Sequence, residues 1–79
     1  MAIENVDMIP VGSSNVEAIG YDEEDQTLYV DFLDKGRGGS RYEYLDVPYE
    51  VFEEFQMAGS MGSFVWTNLK DVYEYSKIL

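Results

Sequence analysis

The sequence predicts an α+β domain: a three-stranded antiparallel β-meander, with an N-terminal segment available as an extra strand, packed against two C-terminal helices. Three observations carry this. Leu28, Val30 and Phe32 alternate with Thr27, Tyr29 and Asp31, the period of a half-buried strand. Val51, Phe52, Phe55 and Ala58 recur at i, i+1, i+4 and i+7, the stripe of an amphipathic helix. The strand patterns all precede the helical ones, which sets the order β-β-β-α-α.

The segment Met8-Ile9-Pro10-Val11 is extended in character, because Pro10 biases Ile9 away from helix, and Gly12-Ser13-Ser14 marks a turn. From about Asn15 to Tyr21 a strand is expected. Val16 and Ile19 share a face of that strand only if it carries a bulge. The acidic run Asp22-Glu23-Glu24-Asp25 reads as a hairpin turn, since a calcium loop needs a longer, glycine-hinged ligand array. The Thr27–Phe32 strand follows. The stretch Asp34–Arg41, with Gly36, Gly38 and Gly39, is too rich in glycine for a regular element and reads as a mobile hairpin tip. Tyr42 and Tyr44 then alternate with Arg41, Glu43 and Leu45 as the third strand.

Pro48 suits the first turn of a helix, and Asp46 and Glu50 suit its dipole. Glu50, Glu53, Glu54 and Met57 form the outward face, and Gly59 ends the helix. Ser60 caps a short turn, and Thr67 caps a last helix in which Leu69, Val72, Tyr73 and Ser76 share a face. Ile78 and Leu79 remain as an apolar tail.

Seventy-nine residues make one domain, with a core spanning about residues 8–75, and 46% of them are hydrophobic, including one Trp, seven Tyr and four Phe. That is enough apolar area for a folded globule of modest stability. There is no Cys and no His, which removes disulfides, thiol nucleophiles, Cys/His zinc sites and imidazole acid-base chemistry. Neither a basic leader nor an 18-residue apolar run occurs, so a soluble, cytoplasmic protein without membrane contact is expected.

Net charge is −11, and residues 1–34 hold nine carboxylates without a single Lys or Arg. Lys35, Arg37 and Arg41 then crowd one segment, three of only five basic residues. This field repels nucleic-acid phosphates and favours basic partners. Its bland reading is solubility.

Ser13 and Ser14 have no base to activate them and read as a turn. Carboxylates are so abundant that a pair at glycosidase spacing carries no diagnosis. The glycines after Lys35 lack the Gly-Lys-Ser/Thr ending of a phosphate loop and precede a strand. Lys35, Arg37 and Arg41 are nonetheless candidate contacts for an acidic partner or a phosphate. Trp66 has two readings: core, the commoner fate of tryptophan, or a contact hot spot. Lys70 lies one turn beyond it. Tyr29, Tyr49 and Tyr75 fall on predicted outward faces and would extend an aromatic patch.

The residues Pro10-Val11, Ser13-Ser14-Asn15-Val16, Ile19-Gly20-Tyr21-Asp22, Val47-Pro48 and Ser60-x-Gly62, with the spacing of Leu28, Val30, Phe32, Tyr42, Tyr44, Phe64, Leu69-Lys70 and Tyr73, resemble the KTSC domain family. That family is named after a domain at the C-terminus of some lysyl-tRNA synthetases and also occurs as small stand-alone proteins of bacteria and phages. The resemblance covers about residues 8–75. It implies a compact α+β domain with no assigned catalysis or cofactor, for which RNA or protein binding is the usual guess. Phe64-Val65-Trp66 and Leu69-Lys70 stand where the family tends to have Tyr-Phe-Asn and an Ile-Arg pair, and Asp71 and Glu74 dilute the positive charge.

The expectation is therefore a non-enzymatic interaction module without metal or cofactor. It would bind a protein partner through Trp66, Lys70, Tyr75 and the Lys35, Arg37, Arg41 cluster, with its acidic surface favouring a basic site. A phage-encoded inhibitor that mimics DNA phosphates is the sharper form. RNA or single-stranded nucleic-acid binding is the alternative, and oligomeric state is not legible.

Overall fold

The computed structural model describes residues 7–34 and 37–78. They form one antiparallel sheet in the order β1-β2-β3-β4-β5, from Ile9–Pro10, Val16–Asp22, Thr27–Asp34, Arg37–Tyr44 and Tyr75–Lys77. Between β4 and β5 run helix α1 (Tyr49–Gln56), the short helix α2 (Met61–Phe64) and a π-helical turn (Val65–Leu69).

The expected meander is the centre of this sheet. The extra N-terminal strand is present as β1, pairing Ile9 with Ile19 and Pro10 with Ala18. Val16, Ile19, Leu28 and Val30 are fully buried on one face, where they meet Val47, Phe52, Phe55, Val65 and Leu69 from the helical segment. Val16 and Ile19 share that face because the register shifts between Val16 and Ala18, leaving Glu17 as the extra residue. A second shift lies across β3, where Gly39 and Ser40 together oppose Phe32. Glycine there suits a bulge, which is why a glycine-rich segment is strand from Arg37 onward. Of the expected hairpin tip, Arg37 to Arg41 is strand, and Lys35 and Gly36 lie outside the described residues.

The Asp22–Asp25 hairpin forms as expected, with Asp22 Oδ1 accepting from the backbone N–H of Glu24 and Asp25. Ser13 Oγ likewise accepts from the N–H groups of Asn15 and Val16. Helix α1 buries Phe52 and Phe55 and turns Glu50, Glu53 and Glu54 to solvent. Phe52 stacks on Tyr21, whose hydroxyl donates to Val47 O, so α1 is tied to the hairpin end of the sheet.

The C-terminal part differs from expectation. The last helix is capped by Ser60, whose Oγ accepts from Ser63 N–H, and it ends at Leu69. Thr67 is not a cap; its hydroxyl donates back to Ser63 O within the helical turn. Tyr75–Lys77, expected as helix, is an edge strand, and Ile78 N–H still bonds Arg41 O. Asp71, at φ 65, makes the left-handed turn that ends the helical path and returns the chain to the sheet.

Candidate interaction groove

Two bulges bracket Phe32, and beside them the sheet face that α1 leaves uncovered meets α2 and the π-helical turn. An open groove of about 730 Å³ lies between them. Its floor is aromatic, from Phe32, Tyr42, Tyr44 and Tyr75 on successive strands. Its wall is Ser60, Ser63, Thr67, Trp66 and Lys70, and Asn15 and Ser40 close the end near the bulges.

The π-helical turn presents the wall. Lys70 N–H bonds Val65 O, an i to i+5 bond that inserts one residue into the turn. Val65 and Leu69 consequently face the core together, while Trp66 and Lys70 emerge together on the other side. Trp66 is 69% exposed. Lys70 Nζ stands 4.7 Å from the centre of its ring, a cation–π contact that holds the indole against the wall. The core reading of Trp66 is thus set aside: it is a surface residue.

Tyr75 lies 5.6 Å from Tyr44 and 6.0 Å from Tyr42, ring centre to ring centre, and is 42% exposed. Burial, followed by the neighbouring Tyr42 and Tyr75, pushes the Tyr44 hydroxyl up to about 12. Gly62 passes so close to the turn after β1 that a β-carbon on it would stand 2.7 Å from Asn15 Nδ2. The glycine of Ser60-x-Gly62 therefore lets α2 seat against Asn15 and sets the width of the groove at that end.

Among the described residues, none that lines this groove is an Asp or Glu, in a chain that carries 16 of them. Asp71 reaches the groove's rim, 3.7 Å from Lys70 Nζ, and an acidic cluster lies elsewhere. Asp22, Glu23 and Glu50 are near enough to Tyr21 to raise its hydroxyl, after the larger effect of burial. The acidic hairpin and the start of α1 thus share one end of the molecule, and the groove lies toward the other.

Of the candidate contact residues, the structure brings Trp66, Lys70 and Tyr75 to one groove. Arg41 is placed on the other face of the sheet. It pairs with Asp31 across β3 and β4, donating from Nε to Oδ1 and from Nη2 to Oδ2 at 2.8 Å, and this hydrogen bonding raises its pKa. Arg37 joins β4 through a backbone pairing with Asp34, and Lys35 lies outside the described residues. Tyr29, expected on an outward face, is only 5% exposed and leaves the aromatic patch, whereas Tyr49 is exposed but packs edge-on against Tyr21 and tilted against Phe52, away from the groove. Asn15, Phe32, Ser40 and Ser63 join the site from distant parts of the chain.

No group of three metal-ligating side chains forms among the described residues, and no helix among them is long and apolar enough to cross a membrane. A small α+β domain with a one-sided core and an open aromatic groove is the class that these features define. The model of the KTSC domain matches residues 12–75, and the chain belongs to that family. It is similar to a KTSC domain protein of Yersinia pestis solved by crystallography, with a TM-score of 0.83 and 32% identity over 94% of this chain and 99% of that one. A protein of Tsukamurella paurometabola is 47% identical over 58 residues, 73% of this chain and 81% of the other.

Proposed function

We propose that this KTSC domain is a non-enzymatic interaction module, working in the cytoplasm, that binds a protein partner through the groove formed by Trp66, Lys70 and Tyr75. The observation that carries the reading is an exposed tryptophan on the wall of a groove that, among the described residues, is lined by no Asp or Glu, in a strongly acidic chain. An exposed Trp beside a packed aromatic floor is the composition of an interface hot spot. The acidic hairpin and α1 then act at longer range, favouring approach by a partner with basic surface nearby. A DNA-mimicking surface would draw on those carboxylates and not on the groove, so the two parts of that idea separate and the groove is preferred.

Nucleic acid is the second reading, favoured by the juxtaposition of the Trp66 ring, Lys70 and Tyr75, which suits base stacking. The net charge opposes it. Affinity capture from lysate of the source cell, wild type beside Trp66→Ala and Glu53→Ala, tests the first reading. A partner lost with Trp66→Ala and kept with Glu53→Ala supports it; equal capture by all three overturns it. Titration with labelled tRNA and single-stranded DNA at low salt tests the second.

A further inference from the structure

The sheet has two edges, and they are unlike. β1 is two residues long and contains Pro10, which lacks an N–H, so that edge is blunted. β5 contains neither Pro nor Gly, and no strand of the described residues pairs with its outer side.

The ladder determines which groups that side offers. Leu45 N–H bonds Glu74 O and Ile78 N–H bonds Arg41 O. Antiparallel alternation then turns the main-chain groups of residues 74, 76 and 78 toward β4, and those of Tyr75 and Lys77 outward. The side chains of these same two residues share the groove face, because Tyr75 pairs with Tyr44 and Lys77 with Tyr42. A strand added outside β5 would place every second side chain over the groove.

We propose, resting on the groove reading above, that the free edge of β5 takes an extended segment of the partner protein by strand addition. The segment carries an aromatic or large aliphatic residue for the space between the Trp66 wall and the Tyr75 floor, and a carboxylate two residues away. The carboxylate follows from charge: Lys70 on the wall already stands 3.7 Å from Asp71 Oδ2, whereas Lys77 on the edge, on the same face as Tyr75, has no carboxylate partner among the described residues. Backbone pairing supplies orientation, and the groove supplies selectivity.

The probe is a display library of end-capped heptapeptides with a fixed central Phe, a Glu two residues further on and random residues elsewhere. Selected peptides are measured by fluorescence anisotropy. Lys77→Pro removes an outward N–H without removing a bond to β4, and is expected to bind at least ten-fold more weakly than Lys77→Ala, which keeps it. In the unmodified protein, hydrogen exchange at the Tyr75 and Lys77 amides is expected to slow on peptide binding. Peptides that need Trp66 yet leave both amides unprotected and bind the two Lys77 variants equally overturn strand addition while sparing the groove. Peptides indifferent to Trp66→Ala overturn the groove reading itself. A library without binders overturns the proposal. So does a concentration-dependent dimer that protects the same amides without peptide, because the occupant is then a second copy.

Discussion

Gly62 and Asn15 meet at a distance that leaves no room for a side chain, since a β-carbon on Gly62 would stand 2.7 Å from Asn15 Nδ2. The obstacle is the far end of a rotatable side chain, so the contact yields at modest cost. Gly62→Ala is expected to destabilise the domain by less than about 1 kcal/mol, because the clash is partly offset by the better helix propensity of Ala. In an Asn15→Ala background the same substitution should become neutral or stabilising. A double-mutant cycle from urea unfolding reads this as a coupling of about 1 kcal/mol. A coupling near zero would mean that α2 is not seated by this contact.

Arg41 and Asp31 form a half-buried, bidentate pair across β3 and β4, on the face of the sheet away from the groove. Removing Arg41 leaves a partly buried carboxylate unpaired, so Arg41→Met should cost about 1–3 kcal/mol. Asp31→Asn in the same protein should recover part of that loss. Arg41→Met is also expected to leave groove binding within about two-fold of wild type, provided that temperature is chosen to keep both proteins folded. Measured thermal unfolding and partner affinity check the two halves separately.

The parts of the fold that were legible in the sequence are those in which one residue type repeats against one environment. Leu28, Val30 and Phe32 announce a strand because a single face is apolar, and Phe52 and Phe55 announce α1 because Glu50, Glu53 and Glu54 oppose them. Even the β2 bulge was readable, since Val16 and Ile19 both demanded the core. β5 was not. Three residues show no period, and Leu69, Val72, Tyr73 and Ser76 imitate a helical stripe that the turn at Asp71 interrupts. The groove was half legible for a related reason. Trp66, Lys70 and Tyr75 lie near one another in sequence, whereas Asn15, Phe32 and Ser40 reach it through strand register and two bulges, which leave no local mark.

Tyr44 makes alkaline stability a readout of the groove floor. Its hydroxyl is raised from 10.0 to about 12, chiefly by burial and then by Tyr42 and Tyr75. The unfolded chain ionises near its ordinary value while the folded chain holds the proton, so the contribution is complete below pH 10 and is lost between about pH 10 and 12. Two units correspond to about 2–3 kcal/mol. Tyr21 and Tyr29, also raised by burial, act in the same direction. Urea unfolding from pH 8 to 12 should show stability falling through this window, and Tyr44→Phe should flatten the fall. An unchanged slope in Tyr44→Phe would mean that Tyr44 is solvated.

The sharpest separation between scaffold and function lies within one turn of chain. Leu69 is fully buried and Trp66, three residues earlier, is 69% exposed, because the π-helical turn sends Val65 and Leu69 inward and Trp66 and Lys70 outward. Leu69→Ala removes core methyl groups and leaves a cavity under the turn, costing about 2–5 kcal/mol. For a domain of this size that is a large share of total stability. Trp66→Ala removes a ring that rests on Lys70 and not on the core, so its cost should stay below about 1 kcal/mol. Partner affinity should move in the opposite sense. Trp66→Ala is expected to weaken binding by about 2 kcal/mol or more, roughly thirty-fold, as hot-spot aromatics do. Measured together, the two variants distinguish a binding residue from a structural one. If Trp66→Ala unfolds the domain as readily as Leu69→Ala, the indole belongs to the scaffold and the groove loses its anchor.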